Sequence, residues 1–119
     1  MLYRLSTMDD EMAMDQPLAD QLKALAHPAR LEILRVLARR GRCVCGEVVE
    51  VMPISQATVS QHLKVLKEAG LIQGRIDGRN SCYCLDPYGV AELREALDRY
   101  FGGLSAAAAT TLEPEEALT

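Results

Sequence analysis

The segment from Ser55 to Gly70, SQATVSQHLKVLKEAG, constrains the fold of this 119-residue chain more than any other stretch. Ser55 is a favourable helix N-cap and Gly70 a favourable C-terminal stop, so the segment predicts one capped helix. Its apolar residues, Val59, Leu63 and Leu66, form a narrow stripe that can bury only one side of the helix. The opposite side is small, polar and basic. The sequence therefore predicts a helix that packs on a core through one face and offers the other to a partner.

Three helices are predicted ahead of this segment. Leucines spaced by three and four residues in LADQLKALA indicate the first helix. Pro28 and Gly41 mark the beginning and end of the second. The third is a short helix over Glu47–Met52, which Pro53 ends.

Two strands and a helix are predicted after it. LIQGRI and SCYCL are typical of short strands, and Asp77-Gly78 between them is a strong hairpin signal. GVAELREALDRYFGGL predicts a last helix with one apolar side. This order predicts a mainly α fold with a small β-hairpin, a winged helix-turn-helix, over residues 17–104. We expect a flexible N-terminal arm over residues 1–16 and an acidic, low-complexity tail over residues 105–119.

The net charge of −4 hides a basic body. Residues 1–17 and the tail each contribute −3, so residues 18–112 carry +2. Local charge matters more for nucleic-acid binding than the charge of the whole chain. No apolar run approaches the roughly 20 residues that cross a bilayer, and the N-terminus lacks the apolar block of a signal peptide. We therefore expect a cytoplasmic protein without a membrane partner, in a compartment that keeps cysteines reduced.

The polar face of the capped helix has the chemistry that reads DNA. If the apolar stripe is buried, Ala57, Gln61 and Lys64 point away from the core. Short side chains permit close approach to a groove, Gln pairs with adenine edges, and Lys meets phosphate or guanine. The hairpin adds Arg75 and Arg79 for contacts with the DNA backbone. The competing interpretation is a solvated amphipathic helix that binds nothing.

The stretches LKALAHPARLEILRVL, CVCGEVV, SQATVSQHLKVLKEAGLI and GRNSCYCL together resemble the ArsR/SmtB family of metal-responsive repressors, and the arsenic-responsive type most closely. The similarity covers roughly residues 18–104. It implies a homodimer that binds a pseudo-palindromic operator in double-stranded DNA and releases it when an inducer binds. The DNA-contacting residues, including the two hairpin arginines, are then expected to be Ser55, Gln56, Thr58, Ser60, Gln61, His62, Lys64, Arg75 and Arg79.

Two histidines have competing interpretations. His62 lies about 60° from the apolar stripe at 100° per residue, so it could pack in a half-buried position instead of contacting DNA. His27 stands just before Pro28 and is expected to fill a helix-cap position.

The first and last helices are predicted to form the dimer interface. A chain this short, with an amphipathic helix at each end of its body, would expose apolar surface as a monomer. Dimerisation would cover that surface and supply the two-fold symmetry of the operator. The interface residues are expected to include Leu18, Leu22, Leu93, Leu97 and Tyr100.

The four cysteines occur as two Cys-x-Cys pairs, Cys43 with Cys45 and Cys82 with Cys84. Thiolates prefer soft, thiophilic ions such as As(III), Sb(III), Cd(II), Pb(II) and Cu(I). Three thiolates suit As(III), and four suit tetrahedral Cd(II) or Zn(II). The favoured inducers are As(III) and Sb(III), with Cd(II), Pb(II) and Zn(II) as further candidates.

The spacing of each pair restricts how it could hold an ion. Residues two apart lie 200° apart on a helix, but on a strand they share a face about 6.6 Å apart. To hold one ion with both cysteines, CVC must therefore be strand-like or must unwind the start of the third helix. If Arg42–Cys45 forms a short strand that pairs with the second hairpin strand, the two Cys-x-Cys pairs lie side by side.

The resemblance supports the two pairs unequally. C-V-C ahead of the third helix matches the arsenic- and cadmium-responsive members, which implies a ligand role for Cys43 and Cys45. Those members draw further ligands from the third helix or the N-terminal arm, where this chain has no cysteine, so Cys82 and Cys84 are the remaining candidates. The zinc sites of other members use Asp and His of the last helix, which here contains no His.

Other interpretations of the cysteines stay open. Free cysteines often pack as small hydrophobic residues. On the same scaffold, cysteine pairs could sense oxidants or sulfur species by forming disulfide or polysulfide links. A small redox enzyme is disfavoured, because neither pair is a C-x-x-C at a helix N-terminus. A module that binds only protein is a further alternative. We expect a regulator and not an enzyme.

Overall fold

The computed structural model of the chain describes residues 2–46 and 52–111, with side chains from residue 10 onward. That part of the chain forms, in order, α1 Leu2–Leu25, α2 Pro28–Arg40, β1 Val44–Cys45, α3 Gln56–Glu68, β2 Ile72–Arg75, a 3-10 turn Gly78–Asn80, β3 Cys82–Leu85 and α4 Pro87–Thr111. The predicted mainly α fold with a small hairpin is confirmed. Most of the short helix predicted over Glu47–Met52 lies outside the described residues.

The boundaries of α2 and α3 follow from their capping residues. His27 is the N-cap of α2, and its Nδ1 accepts a hydrogen bond from the Ala29 amide at 3.0 Å. Gly41 ends α2 in the left-handed conformation, and its N–H donates to the Leu37 carbonyl at 3.1 Å. Ser55 caps α3 by accepting from the Thr58 amide at 3.3 Å. The predicted caps at His27 and Ser55 are confirmed.

Both terminal helices are longer than their apolar patterns predict. The expected flexible arm over residues 1–16 is helical from Leu2, and the helix predicted to end at Leu104 continues to Thr111. The sequence between Leu2 and Gln16 contains no glycine or proline, and residues 106–109 are four alanines. Alanine has the highest helix propensity, which favours the extension of α4, and the extension of α1 contains no residue that breaks a helix.

The three strands form one antiparallel sheet in the order β1-β3-β2. Val44 pairs with Tyr83, and Arg75 pairs with Cys82. The hairpin between β2 and β3 is therefore joined by residues 76–81 and not by a two-residue turn. Ser81, which is 2% exposed, closes this loop, because its Oγ accepts from the Asp77 amide and donates to the Gly78 carbonyl, both at 2.7 Å.

The core lies where α2, α3 and one face of the sheet meet. The stripe predicted to be buried in α3 is confirmed, because Val59, Leu63 and Leu66 are at most 1% exposed. They pack in one cluster with Ile33, Val36, Leu37, Val44, Leu71, Ile72, Tyr83 and Leu93. None of the helices in the described ranges is both long and apolar enough to cross a membrane.

Candidate DNA-binding surface and cysteine cluster

The exposed face of α3 matches the face predicted from its sequence. The side chains of Gln61 and Lys64 are exposed, and neither forms a hydrogen bond or ion pair with another described side chain. Ser55 and Thr58 are also exposed, with their hydroxyl oxygens 2.9 Å apart, and Gln56 is partly exposed. Ser60 is partly buried. Within α3 itself, Gln61 and Lys64 are thus the side chains most available to a groove or a phosphate.

The structure does not place His62 on this face. Its side chain is buried at 9% exposure, and its ring centroid lies 4.4 Å from that of His27. Its Nδ1 accepts a hydrogen bond from Arg30 Nε at 3.1 Å. Arg30 in turn donates to the carbonyls of Lys23 and Ala24 at 3.1 and 3.3 Å. His62 therefore ties α3 to α1 and α2, and the prediction that it contacts DNA is corrected to a packing role.

The surroundings of His62 also favour its neutral form. Burial lowers the pKa of His62 below its ordinary value of 6.5, and nearby His27 and Arg30 lower that pKa further. A lowered pKa means that the folded chain favours the neutral imidazole. A neutral ring can accept the Arg30 hydrogen bond, whereas a charged ring would offer only donors.

The wing, which we define as residues 75–81, is joined to the start of α3. Arg79 Nε donates to Gln56 Oε1 at 3.0 Å. Arg75 holds the loop from the strand side, because its Nε and Nη2 donate to the Asn80 carbonyl at 3.1 and 2.8 Å. Both arginines remain exposed, so each can meet a DNA phosphate while it positions the loop.

The two Cys-x-Cys pairs lie side by side across β1 and β3. Cys45 is opposite Cys82, with α-carbons 4.1 Å apart, and Cys43 is opposite Cys84, with α-carbons 4.2 Å apart. Val44 and Tyr83 between them point into the core, so the four cysteines share the outer face of the sheet. The prediction of a short strand just before residues 47–52 is confirmed. The prediction that the two Cys-x-Cys pairs lie side by side is confirmed as well. We call these four residues the cysteine cluster.

The cysteine cluster is oxidised in the structure. Cys43 is disulfide-bonded to Cys84, and Cys45 to Cys82. A disulfide sulfur offers no thiolate, and no group of three or more His, Cys, Asp or Glu side chains in the described part of the chain is arranged to hold a metal ion. The ligand roles predicted for the four cysteines thus require the reduced form, and they remain predictions.

The cysteine cluster touches the base of the wing. Arg75 Nη2 lies 4.0 Å from Cys82 Sγ, and the Gly46 amide donates to the Ser81 carbonyl at 3.2 Å. The same Arg75 guanidinium holds the Asn80 carbonyl. Arg75 therefore connects the sulfur atom of Cys82 directly to the wing loop, which contacts α3.

Sequence reasoning missed Arg30 and Ser81. Arg30 reaches His62 across 32 residues of sequence, and nothing local marks that pairing. Ser81 closes the wing through two hydrogen bonds within four residues. Its signal was available, because a serine just after a turn commonly bonds nearby backbone groups.

The predicted interface residues differ in exposure. Leu93 is buried in the core of its own chain, and Leu18 and Leu97 are partly buried against that core. Leu22 and Tyr100 are 40% and 46% exposed. Further large apolar side chains of α4 lie exposed beside Tyr100, namely Phe101 and Leu104. Exposed large apolar side chains thus lie on both terminal helices, namely Met12, Met14 and Leu22 on α1 and Tyr88, Val90, Tyr100, Phe101 and Leu104 on α4.

A capped helix with a polar outer face, a basic wing bonded to its first turn and a three-stranded sheet define a winged helix-turn-helix protein. A family model described as a helix-turn-helix domain matches residues 25–75. The chain is 46% identical over 79 residues to the HTH-type transcriptional regulator Rv2034 of Mycobacterium tuberculosis. The matched region covers 66% of this chain and 73% of that regulator. The chain belongs to the ArsR/SmtB family of transcriptional regulators.

A second relative and two solved structures agree with this assignment. The chain is 42% identical over 72 residues to the M. tuberculosis repressor SmtB, covering 60% of the chain and only about half (53%) of that repressor. A possible transcriptional regulator for arsenical resistance superposes with a TM-score of 0.60 at 36% identity, over 79% of this chain and 98% of that one. The homodimeric winged helix-turn-helix domain of Mb0332 from Mycobacterium bovis, a possible ArsR-family regulator, gives 0.57 at 29% identity, over 88% and 90%.

Proposed function

We propose that the chain is a homodimeric transcriptional repressor that binds a pseudo-palindromic operator in double-stranded DNA. The repressor leaves its operator when a thiophilic metal(loid) binds the reduced cysteine cluster. As(III) and Sb(III) are the favoured inducers, and Cd(II), Pb(II) and Zn(II) are the alternatives. The observation that carries the proposal is the placement of four cysteines on one outer face of the sheet, in contact with the base of the wing. Such a repressor acts where its operator is, in the cytoplasm.

The donor set fits the proposed ions once the disulfides are reduced. Cys43 and Cys45 are exposed, and Cys82 and Cys84 are partly exposed, so an ion can reach them from solvent. The directly opposed pairs have α-carbons 4.1 and 4.2 Å apart, which brings at least two thiolates within reach of one ion. An all-sulfur donor set favours soft ions over hard ones such as Mg(II) or Ca(II).

The path from the cysteine cluster to the DNA surface runs through the wing. Arg75 contacts Cys82 and holds Asn80, while Arg79 next to Asn80 is bonded to Gln56 at the start of α3. A shift of Cys82 therefore moves the wing relative to α3. In a dimer that must place two such units in successive major grooves, a small change in each protomer weakens both contacts. Allosteric couplings of about 1–3 kcal/mol correspond to roughly 5–150-fold changes in affinity.

Two comparisons support the finer parts of this proposal. The solved structure at 36% identity is described as a possible regulator for arsenical resistance, and SmtB is described as a repressor. The homodimeric state of the Mb0332 domain supports dimerisation, for which both α1 and α4 present exposed apolar side chains.

The test is a titration of operator binding. Reduced protein is bound to a fluorescent duplex from the promoter of its own gene, and anisotropy is followed as As(III), Sb(III), Cd(II), Pb(II) or Zn(II) is added. We expect As(III) or Sb(III) to weaken binding at least tenfold. Cys43→Ser should abolish the response, and the double variant Cys82→Ser/Cys84→Ser should reduce it.

Three outcomes would contradict the proposal in different places. If no ion weakens DNA binding by the reduced wild type, metal(loid) sensing is wrong but operator binding stands. If the double variant responds like the wild type to every ion, the shared four-cysteine site is wrong. Absence of binding to any promoter duplex would instead favour a module that binds only protein.

A second candidate is a redox- or sulfur-sensing repressor on the same fold. It is favoured by the two cross-strand disulfides, which pair all four cysteines. In this case peroxide or a persulfide donor should release the operator from reduced, metal-free protein, and a thiol reductant should restore binding. If oxidation leaves the operator affinity unchanged, this second candidate is excluded.

A further inference from the structure

A cavity of about 610 Å³ lies between the end of α2, the edge of the sheet at the Cys43–Cys84 pair, and the beginning of α4. We call it the α2–α4 cavity. Its volume is within the range of about 300–1,000 Å³ that is typical of small-molecule sites. The residues that shape it are mainly Leu37, Ala38, Cys43, Leu85, Val90 and Ala91.

Most of the residues that line the α2–α4 cavity are apolar. Leu37 of α2 is 2% exposed, and Leu85 of β3 is partly buried. Val90 and Ala91 of α4 belong to the same apolar lining. An apolar ligand body that entered the cavity would therefore leave water for an aliphatic surface, which is favourable.

The charged residues at the α2–α4 cavity are all cationic. Arg42 and Arg94 are the two charged residues among those that line it, and no described lining residue is acidic. The Arg94 side chain is exposed and forms no hydrogen bond or ion pair with the side chain of another described residue. An arginine guanidinium binds a carboxylate or phosphate with two parallel hydrogen bonds. An anionic head group at the mouth of the cavity would thus find a ready partner in Arg94.

We propose that the α2–α4 cavity binds a small organic anion with an apolar body, such as a medium-chain carboxylate. The apolar chain occupies the space between Leu37 and Val90, and the carboxylate lies against Arg94. This site is separate from the DNA-contacting face of α3. Its occupancy does not require a metal(loid), so it can be tested without DNA and without the proposed inducer.

The experiment is isothermal titration calorimetry on the full chain with three probes, each below its micelle concentration. Decanoate has both the apolar chain and the anionic head, acetate has only the head, and decyltrimethylammonium has the chain with the opposite charge. We expect saturable binding of one decanoate per chain and no saturable binding of the other two. Arg94→Gln should weaken decanoate about tenfold, because a hydrogen-bonded charge is lost.

Matched variants separate the cavity from general surface effects. Arg99→Gln removes an exposed arginine of the same helix outside the cavity and should leave decanoate binding unchanged. Ala91→Phe and, on the facing wall, Ala38→Phe should each abolish binding by filling the space, with circular dichroism used to show that each variant is folded.

Three results would overturn the proposal. One is equal affinity for decanoate and decyltrimethylammonium. Another is equal affinity of Arg94→Gln and Arg99→Gln for decanoate. The third is absence of decanoate binding together with weaker self-association of Ala91→Phe in sedimentation equilibrium, which would assign the cavity to a second copy of the chain.

Discussion

His62 illustrates how one partner from a distant segment decides the role of a side chain. Its position in α3 leaves it about 60° from the apolar stripe, where either burial or DNA contact is compatible with helix geometry. Arg30 of α2 and the ring of His27 select burial. The sequence contains both partners but no local pattern that joins them to His62.

We predict that His62 makes folding stability depend on pH below its ordinary pKa of 6.5. Since burial lowers its pKa in the folded chain, the unfolded chain binds more protons in this range, and stability falls as the pH falls. The contribution of neutral His62 to the free energy of unfolding is complete above about pH 6.5. It is lost as the pH falls towards the pKa of His62 in the folded chain. Urea unfolding between pH 7.5 and 5.5 measures this slope.

Two variants assign the slope to His62. His62→Gln keeps an acceptor for Arg30 without a titrating group, so stability should change less over the same range. His27→Asn keeps a good N-cap and retains His62, so most of the slope should persist because burial is the largest cause of the shift. Identical slopes for wild type and His62→Gln would refute the assignment.

The packing of α4 onto the end of α3 depends on a glycine. A β-carbon at Gly89 would meet the carbonyl oxygen of Gly70 in the turn after α3. Asp86 fixes this arrangement, because its Oδ1 accepts from the amides of Tyr88 and Gly89 at 3.1 and 3.2 Å. Gly89 is therefore a position where α4 and α3 approach each other closely.

We predict opposite effects of alanine at two glycines of α4. Gly89→Ala should destabilise the chain by about 1–3 kcal/mol, because the two backbones must separate. Gly102→Ala adds a methyl group in open space within the same helix and should stabilise it by about 0.4–1 kcal/mol. Chemical denaturation of the two variants beside the wild type gives both values. Similar signs for the two changes would show that Gly89 is not a tight contact.

The wing gives a prediction about coupling, which rests on the proposed function. Arg75→Lys keeps the positive charge but cannot reproduce the two hydrogen bonds to Asn80 together with the contact to Cys82. We expect operator affinity without inducer to stay within about threefold and the As(III)-induced weakening to shrink about tenfold, measured by anisotropy. Arg99→Lys is the control and should behave as wild type. An unchanged As(III) response in Arg75→Lys would exclude this route.

Local sequence patterns predicted the presence of helices and strands better than the residues at which they begin and end. The cap at Ser55 and the stripe of Val59, Leu63 and Leu66 specify α3 within a few residues, because both signals act inside one helix. The ends of α1 and α4 carry no such signals, so composition alone extends them. The six-residue loop between β2 and β3, residues 76–81, also departs from the two-residue turn typical of Asp-Gly, because Ser81 closes a longer loop.

The long-range features of the candidate site were only partly accessible from sequence. Alternation placed Cys82 and Cys84 on one face, and the expected strand at Cys45 placed the other pair beside them. The pairing of the sulfur atoms across the strands, the contact of Arg75 with Cys82 and the cavity beside Cys43 depend on how separate elements pack. No spacing within one segment encodes that packing.

The exposed end of α4 gives a prediction for the assembled protein. Tyr100 and Phe101 are 46% and 57% exposed and contact each other edge to face at 5.6 Å. We expect Tyr100→Glu to raise the dimer dissociation constant at least tenfold, since it places a charge in an apolar interface. Tyr88→Glu changes an 81% exposed tyrosine at the start of the same helix and should not. Sedimentation equilibrium compares the two, and equal effects would argue against this interface.

The cross-strand disulfides also change the topology of the molecule. The bond from Cys45 to Cys82 closes residues 45–82, which include α3 and the wing, into a covalent ring, and the bond from Cys43 to Cys84 closes a second ring around it. Closing a loop of this size removes unfolded-state entropy worth about 4 kcal/mol in the chain-entropy model, and the nested second bond adds little. In the oxidised chain a peptide bond cut inside the ring leaves both fragments attached. Reduction opens the ring, so the segment that contains α3 and the wing is no longer held in a disulfide-closed loop.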